Sequence, residues 1–432
     1  MKYFIIALFA ITFALIIAMP KRKTLTTGIT ALVAVVACLI SGVTNFKELV
    51  YSIDFNVVLM LTGIMVTVYL FTDSLMPNKI ADKLISKMPN SLSAIILLVA
   101  LSGIVSALID NVATVLMLAP IGLAVSKKIN VSPIPVIIGI AVSSNLQGAA
   151  TLVGDTTSVM LGSFADMSFL EFFILDGKLS IFWAVELGAL LTIPVIAIIF
   201  RKENKKLSLQ LENVKTKSLY PSVLLIVNIA LLVSASFIPY KLVVFGQDIT
   251  NGFICAVIAI IGLIIFILKK SGKPLTALKN AIDYQTVLFL VFLFILVGTV
   301  EQVGVIKDIS NFFASLGNKS VFLLYTVIVF GSVIISAFID NIPYVATMLP
   351  VISTLAASMP TVSPYLLYFG LLCGATLGGN ITPVGASANV VGIGVLNKEG
   401  YTVRNKDFFK IGLPFTLVAV LSAYLLVWII WA

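Results

Sequence analysis

The sequence predicts an all-α polytopic membrane protein made of two inverted repeats. Each repeat is expected to hold about five transmembrane spans, one re-entrant hairpin and one broken helix. Of the 432 residues, 60% are hydrophobic and only 11% are charged, whereas a soluble domain carries about 25% charged residues. Apolar stretches long enough to cross a bilayer recur along the chain. A third observation, a sequence motif that returns after about 230 residues, indicates duplication.

Continuous apolar segments predict eight ordinary spans. Their ranges are 3–19, 25–43, 55–75, 179–200, 219–238, 250–268, 285–303 and 411–431. The first of them resembles a signal peptide, but its apolar run is long and no small-residue cleavage site follows it. We therefore interpret it as a retained span. The amphipathic segments 78–88 and 304–316 predict helices that lie at the membrane surface.

The two halves of the chain align with each other. "SALIDNVATVLMLAP" (106–120) matches "SAFIDNIPYVATMLP" (336–350) at seven of fifteen positions. The alignment predicts a first repeat over 1–200, a basic linker over 201–218 and a second repeat over 219–432. Gly, Asn and Pro interrupt the remaining apolar stretches, so we expect hairpins at 91–125 and 320–357 and broken helices at 133–162 and 364–396.

Basic residues predict the orientation of the repeats. With the linker 201–218 in the cytoplasm, the segments on the inside hold 22 of the 28 Lys and Arg residues, as the positive-inside rule requires. The first hairpin then enters from the inside and the second from the outside, which makes the repeats inverted. The expected location is the plasma membrane of a prokaryote. The net charge of +9 is attributed to these loops and not to nucleic-acid binding.

An acid and an amide stand where each hairpin is expected to turn. These pairs are Asp110-Asn111 and Asp340-Asn341. A charged residue at the centre of a bilayer costs about 2.5–3.5 kcal/mol on insertion scales, so two equivalent acids indicate a function in ion binding. We expect the acids to cap the following helices and to bind an ion as well. The alternative interpretation is that the acids only cap the helices and the amides only satisfy hairpin backbone. Asp155, which has Ala386 as its counterpart, is either a proton- or cation-linked acid or a solvated residue.

Several classes of protein are excluded by what the sequence lacks. The chain has no histidine, no Walker A motif and no GxGxxG motif, so we expect neither a Ser-His-Asp triad nor nucleotide-driven transport. Three cysteines lie in apolar segments without metal-binding spacing. We therefore predict that the protein is not an enzyme and has no cofactor, apart from bound Na⁺ as a candidate.

Three motifs carry a resemblance to a known family. "SAFIDNIPYVATMLPV", "TLVGDTTSVMLG" and "PVGASANVVG" resemble motifs of the ArsB/NhaD branch of the ion transporter superfamily. That branch includes arsenite permeases, D-type sodium/proton antiporters and the P protein, and the wider superfamily includes citrate transporters and divalent-anion/sodium symporters. The resemblance implies a homodimer in which hairpin tips and broken helices form the ion and substrate sites. Two features depart from the family: Thr156-Thr157-Ser158 replaces Pro-Pro-Asn, and Pro383 interrupts a Thr-Leu-Ile-Gly run.

The family motifs, together with the residues of the tips and breaks, give a candidate ion- and substrate-binding set. Its members in the first repeat are Asp110, Asn111, Thr114, Asn145, Gly148, Thr151, Gly154 and Asp155. Its members in the second repeat are Asp340, Asn341, Gly379, Asn380, Thr382, Gly385, Ser387 and Asn389. Candidate Na⁺ ligands are Asp110, Asn111, Asp340 and Asn341.

The expected function is secondary active transport, coupled to Na⁺ or H⁺, of a small inorganic or organic anion or oxyanion by alternating access. A Na⁺/H⁺ antiporter that uses Asp110 and Asp340 as its cation and proton sites is the alternative. A passive ion channel and a non-transporting membrane scaffold are further alternatives. The expected partners are the lipid bilayer, a small ion and a second copy of the chain.

Overall fold

The computed structural model describes residues 1–128, 130–203, 215–238, 240–269 and 272–432. It is 77% helical, with 20 helices, which confirms the predicted all-α class. Most of the predicted linker 201–218 lies outside the described residues. In the first half the helices are α1 Lys2–Ala18, α2 Lys23–Ile40, α3 Phe46–Tyr51, α4 Phe55–Asp73, α5 Met76–Ile85, α6 Ser91–Ser106, α7 Asn111–Lys128, α8 Pro133–Gly148, α9 Thr156–Phe164 and α10 Ile181–Ile199.

The second half repeats this order of elements. Its helices are α11 Tyr220–Ala235, α12 Thr250–Leu268, α13 Pro274–Ala281, α14 Tyr284–Gln302, α15 Val305–Gly317, α16 Val321–Ser336, α17 Asn341–Ser358, α18 Pro364–Leu372, α19 Ser387–Lys398 and α20 Asn405–Trp431. Two short antiparallel pairs of strands, which the sequence did not predict, lie in loops: β1 Ile174–Leu175 with β2 Lys178–Leu179, and β3 Val243–Val244 with β4 Gln247–Asp248.

Six helices of the described chain are long and apolar enough to cross a membrane. They are α2, α4, α10, α12, α14 and α20. Helices α1 and α11, which were also predicted as spans, have 17 and 16 residues. At a rise of 1.5 Å per residue they measure about 24–26 Å, slightly less than the roughly 30 Å of a bilayer core.

Equivalent helices of the two repeats begin with equivalent signals. The Asp54 carboxylate accepts a hydrogen bond from the N–H of Val57 and so caps α4. Asp283 caps α14 in the same way through Thr286. Helices α5 and α15 match the predicted amphipathic segments, and each follows a left-handed residue, Leu75 or Gly304.

Helices of each repeat pack against helices of the other repeat. Helix α2 packs along α14 of the other repeat, and α12 packs along α4. Likewise α19 packs against α7 and α8, while α9 packs against α17 and α18. Each contact has its counterpart in the opposite direction, which is the pattern that a pseudo-twofold relation between the repeats produces.

Ion pairs between loops fall into two sets. In one set the ion pairs are Lys127–Glu399 at 2.8 Å and Lys217–Asp73 at 2.9 Å. In the other set they are Lys2–Asp308 at 2.5 Å and Lys241–Asp166 at 2.6 Å. This division agrees with the inside and outside segments that the basic residues predict. Which set faces the cytoplasm stays a prediction.

Candidate functional site

The two broken helices meet at their breaks. Helix α8 ends at Gly148 and α9 begins at Thr156, while α18 continues into a π-helix over Cys373–Leu377 and a 3₁₀ turn over Gly379–Ile381 before α19 begins. π-helical turns often occur at functional sites. The segments between the helices are dense in Gly, Ser, Thr and Asn, and nearly every residue in them is buried.

Asn145 and Asn380 join the breaks. The Asn145 amide donates to the carbonyl oxygen of Thr376 at 2.8 Å and to Oδ1 of Asn380 at 3.0 Å. The Asn380 amide donates back to the carbonyl oxygen of Val142 at 2.9 Å. All four residues are buried, and these bonds tie the breaks of the two repeats directly to each other.

The first hairpin turns at Asp110 and Asn111. One carboxylate oxygen of Asp110 accepts hydrogen bonds from the N–H groups of Val112 at 3.0 Å and Ala113 at 3.2 Å. Asp110 therefore caps α7, as both interpretations of the sequence predict. The next residue, Asn111, donates through its amide to Oδ1 of Asn145 at 3.0 Å, which connects the tip to the break.

The second tip differs, because Asp340 is paired with a lysine. Its Oδ2 accepts hydrogen bonds from Nζ of Lys23 and from the hydroxyl of Ser387, both at 2.9 Å. The two charged side chains are 20% and 14% exposed, and α17 has no side-chain cap. Asp340 therefore stands at the N-cap position of α17 but turns Oδ2 to Lys23 and Ser387, unlike Asp110. The other carboxylate oxygen of Asp340, Oδ1, has no hydrogen-bond partner among the described residues.

Sequence reasoning missed Lys23 as a member of this site. It was counted only as one of the basic residues of the loop between the first two spans. Lys23 opens α2 and reaches Asp340 across 317 positions of sequence. No local pattern signals a contact over that distance, so only the packing of α2 beside α14 could reveal it.

Asp155 lies inside the protein between the two repeats. Only 3% of the residue is exposed, which excludes the solvated interpretation in this conformation. Its Oδ2 accepts hydrogen bonds from the Thr157 hydroxyl at 2.9 Å and from the Asn341 amide at 3.1 Å. The Thr157 hydroxyl also lies 3.1 Å from that of Thr376. Thr157, one of the residues that depart from the family motif, thus links Asp155 to the second break.

The remaining candidates shape the breaks. The hydroxyls of Thr151 and Thr382 donate to the carbonyl oxygens of Ala107 and Ala337, one residue beyond the first arm of each hairpin. The Asn389 amide donates to the carbonyl oxygen of Thr382 at 3.1 Å, and to that of Gly379. Thr114 is buried, and its hydroxyl lies 3.4 Å from the carbonyl oxygen of Ile109 in the hairpin backbone.

Glycines let each break lie directly on a hairpin tip. A Cβ placed on Gly154 would lie 2.6 Å from the carbonyl oxygen of Gly148 and 2.7 Å from that of Ser106. In the second repeat, a Cβ on Gly385 would meet the carbonyl oxygens of Gly379 and Ser336 at the same two distances. Both contacts are shorter than any real side chain adopts, so these two positions require glycine for close approach.

Together these contacts form one network, which we call the central network. It runs from Asp110-Asn111 through the two breaks to Asp155, Asp340-Asn341 and Lys23. It contains three carboxylates and one lysine. Helices α9, α17 and α19 begin in it without a side-chain cap. No three Asp, Glu, Cys or His residues in the described ranges are grouped as a metal site, so a cation here would need amide, hydroxyl or carbonyl oxygens beside a carboxylate.

Solved structures with a similar fold are membrane transporters. The YdaH transporter of Alcanivorax borkumensis superposes with a TM-score of 0.60 at 14% identity, over 89% of this chain and 87% of its own. MtrF of Neisseria gonorrhoeae, described as one of a class of antimetabolite efflux pumps, superposes with a TM-score of 0.56 at 15% identity, over 92% of this chain and 83% of its own. At these identities the likeness shows the fold alone.

Sequence relatives are membrane proteins as well. A 46 kDa membrane protein of Mycobacterium leprae is 30% identical over 433 residues, which is 99% of each chain. An uncharacterized transporter of Mycobacterium tuberculosis is 29% identical over 90% of each chain. The mouse P protein is 25% identical over 96% of this chain and 58% of its own length. The model of the citrate transporter family matches residues 13–372 and, separately, 249–432. The chain therefore belongs to the citrate transporter family of integral membrane transporters.

Proposed function

We propose that this protein is a secondary active transporter, coupled to Na⁺ or H⁺, that carries a small inorganic or organic anion by alternating access. The observation that carries the proposal is the central network, in which three acids and three uncapped helix starts meet between two related halves. Transporters with inverted repeats bind substrate and coupling ions where broken helices meet near the midplane. The fold and the family both support this class.

The helix starts support an anion as cargo. Helices α9, α17 and α19 begin in the central network without a side-chain cap. The N-terminus of a helix presents unpaired N–H groups and the positive end of its dipole, which favour a negative charge. Lys23 adds a positive charge on the same side of Asp340 as Ser387. The family description, citrate transporter, supports a carboxylate among the candidate anions.

The acids support coupling to a cation. Asp110, Asp155 and Asp340 face a single lysine in the network, so the site carries an excess of negative charge whenever all three are ionised. An anion would be repelled by that excess, and a bound Na⁺ or proton would remove the repulsion. Oδ1 of Asp340, which has no hydrogen-bond partner among the described residues, is an oxygen that a cation could use.

The same excess of acids also supports the alternative, Na⁺/H⁺ antiport. In that case the carboxylates would bind Na⁺ and protons in turn, and no anion would be carried. The two functions differ in one observable. Only the symporter requires an anion for net Na⁺ or proton movement.

Flux measurements in liposomes test both functions. The purified protein is reconstituted, and uptake of citrate and of inorganic oxyanions is followed under imposed Na⁺ or pH gradients. Wild type is compared with Asp110→Asn and Asp340→Asn. Asp166→Asn is the matched control, because Asp166 lies in an exposed loop and pairs with Lys241. We expect each site variant to lower gradient-driven uptake about tenfold or more, which corresponds to about 1.4 kcal/mol in a rate or an affinity.

The possible outcomes separate the candidates. If Asp110→Asn and Asp340→Asn both transport like the Asp166→Asn control, with unchanged ion dependence, the coupling role of the acids is wrong. Na⁺-driven proton movement without any anion would support the antiporter instead. Anion flux that does not depend on the imposed Na⁺ or pH gradient would indicate a passive channel.

Orientation and assembly are part of the proposal. We place the linker 201–218 and the loop that contains Lys127 in the cytoplasm, and the loop that contains Lys178 outside. Labelling of the single variants Lys127→Cys and Lys178→Cys in intact cells tests this, because only the Lys178→Cys variant should react with an impermeant thiol reagent. We also propose a homodimer, as the family resemblance implies, and light scattering of the purified protein measures that mass.

A further inference from the structure

A second polar site lies outside the central network, in a cavity between α6, α8 and α10. The cavity has a volume of about 90 Å³, which is large enough for several water molecules. Most of its lining consists of aliphatic side chains such as Ile104 and Leu190. Its polar members are Glu186, Gln147, Ser143 and Thr192.

Glu186 is an acid without a charged partner in the part of the chain that the structure describes. It is the sixth residue of α10, so it lies about 8 Å inside the helix end at 1.5 Å per residue. Neither α6 nor α8, which line the cavity, contains Asp, Glu, Lys or Arg. Helix α20, which packs along α10, has no charged residue after Lys410, and its Tyr424 hydroxyl is engaged with Thr326. The charged residues 201–203 follow the far end of α10, about 22 Å away. Asp176 and Lys178 precede the near end, and the Lys178 ammonium lies over the Trp431 ring.

Gln147 is the second, independent feature of the cavity. It is only 5% exposed, and its Oε1 has no hydrogen-bond partner among the described residues. A buried acceptor without a donor is unfavourable, and an ionised carboxylate cannot help, because it is itself only an acceptor. A protonated carboxyl group is a donor. Because Glu186 lines the same cavity as Gln147, a proton on Glu186 would supply the donor that Gln147 lacks, directly or through a water molecule.

We propose that Glu186 is a proton-binding site and that Gln147 receives the hydrogen bond of its protonated form. An isolated carboxylate in a membrane span is costly, and such a group neutralises instead of remaining charged. Gln147 is the residue before Gly148, where α8 ends, and its carbonyl oxygen accepts the N–H of Ala150 inside the break. Gln147 thus connects the proposed proton site to the first break along the chain.

Infrared difference spectroscopy tests the proposal without any substrate. The protein in lipid nanodiscs is titrated from acid to alkaline pH, and the carbonyl band of protonated carboxyl groups is recorded. Wild type is compared with Glu186→Gln, which keeps the shape of the side chain. Glu301→Gln is the matched control, because Glu301 is also a Glu near the end of a long apolar helix. We expect a titrating band that is absent only in Glu186→Gln.

A second variant tests the role of Gln147. Gln147→Met removes the acceptor at similar volume and is expected to move the midpoint of the band to lower pH by about 0.5–1 unit, the equivalent of one hydrogen bond. This variant keeps the test decisive if Glu186→Gln does not fold. Identical spectra for wild type and Glu186→Gln would overturn the proton site. Loss of the band on adding Na⁺ at constant pH would also overturn it and would assign the cavity to a metal cation.

The consequence for transport rests on the proposed function. If the protein carries its cargo with protons, Glu186→Gln should flatten the pH dependence of uptake while Glu301→Gln retains it. The spectroscopic titration needs no cargo, so it can succeed when transport of every tested anion fails. The proton site at Glu186 and the proposed transport function can therefore be confirmed or refuted independently.

Discussion

The close approach of each break to its hairpin tip can be tested by adding one methyl group. In Gly154→Ala the new Cβ would meet the carbonyl oxygens of Gly148 at 2.6 Å and Ser106 at 2.7 Å. Overpacking of a core costs about 1–3 kcal/mol. We expect the upper end of that range, about 3 kcal/mol, because the atoms met are backbone oxygens, which cannot rotate away as a side chain does.

The second repeat and two other glycines provide an internal scale. Gly385→Ala should be as destabilising as Gly154→Ala, because the distances are equal. Gly148→Ala should be milder, since its Cβ would meet nothing closer than 3.2 Å. Gly331→Ala is the control: it lies in the first arm of the second hairpin with nothing within 4 Å, so alanine should be neutral or stabilise the helix by about 0.5–1 kcal/mol.

Denaturant titration of the protein in mixed micelles measures these differences. All three tryptophans lie in α10 and α20, so their fluorescence reports loss of the packed bundle. If Gly154→Ala and Gly385→Ala unfold at the same denaturant concentration as Gly331→Ala, the breaks do not rest on the tips. A large effect in one repeat alone would contradict the equivalence of the two halves.

Three further predictions concern polar contacts. Lys23→Met should destabilise the protein by about 3 kcal/mol because it leaves a largely buried carboxylate unpaired; adding Asp340→Asn should recover most of that loss, and additive effects in the double-mutant cycle would contradict the pair. Asn145→Ala should cost about 2 kcal/mol through its lost bonds to the second break, and an unchanged denaturation midpoint would mean that the breaks are joined by other contacts. Lys127→Cys with Glu399→Cys should be joined by a short bifunctional thiol reagent, as gel mobility after proteolysis would show, whereas the Lys127→Cys single variant should not.

Sequence periodicity and composition predict the helices of this chain well, but they do not predict the short strand pairs in its loops. The amphipathic segments 78–88 and 304–316 correspond to α5 and α15 within a few residues. Apolar residues that recur with the helical period among polar ones are a strong signal of a helix. The strand pairs in the loops were missed. They are two residues long, and so short a strand shows no detectable alternation.

The site was predictable where its chemistry is local. The cap formed by Asp110 involves the next three residues, and the Asp-Asn pair before an apolar run signals it. The pairing of Asp340 with Lys23 was not predictable. Asp340-Asn341 has the same sequence as Asp110-Asn111, but the packing of α2 on α14 places Lys23 beside it. Identical sequence thus adopts two electrostatic environments. The central roles of Thr157 and Thr376 were also hidden, since each acts through a residue of the opposite repeat.

The packing of helices between the repeats constrains the order in which the protein can fold during its synthesis. Helix α2 packs along α14, and α4 along α12, so the partners of the first-synthesised half emerge from the ribosome about 200 to 260 residues later. Until then the faces of α2 and α4 that these partners cover are left to lipid or to insertion factors. Contacts of such long sequence separation form slowly. The first half of the chain is therefore not an independent folding unit, and the mature bundle is completed only after nearly the whole chain has entered the membrane.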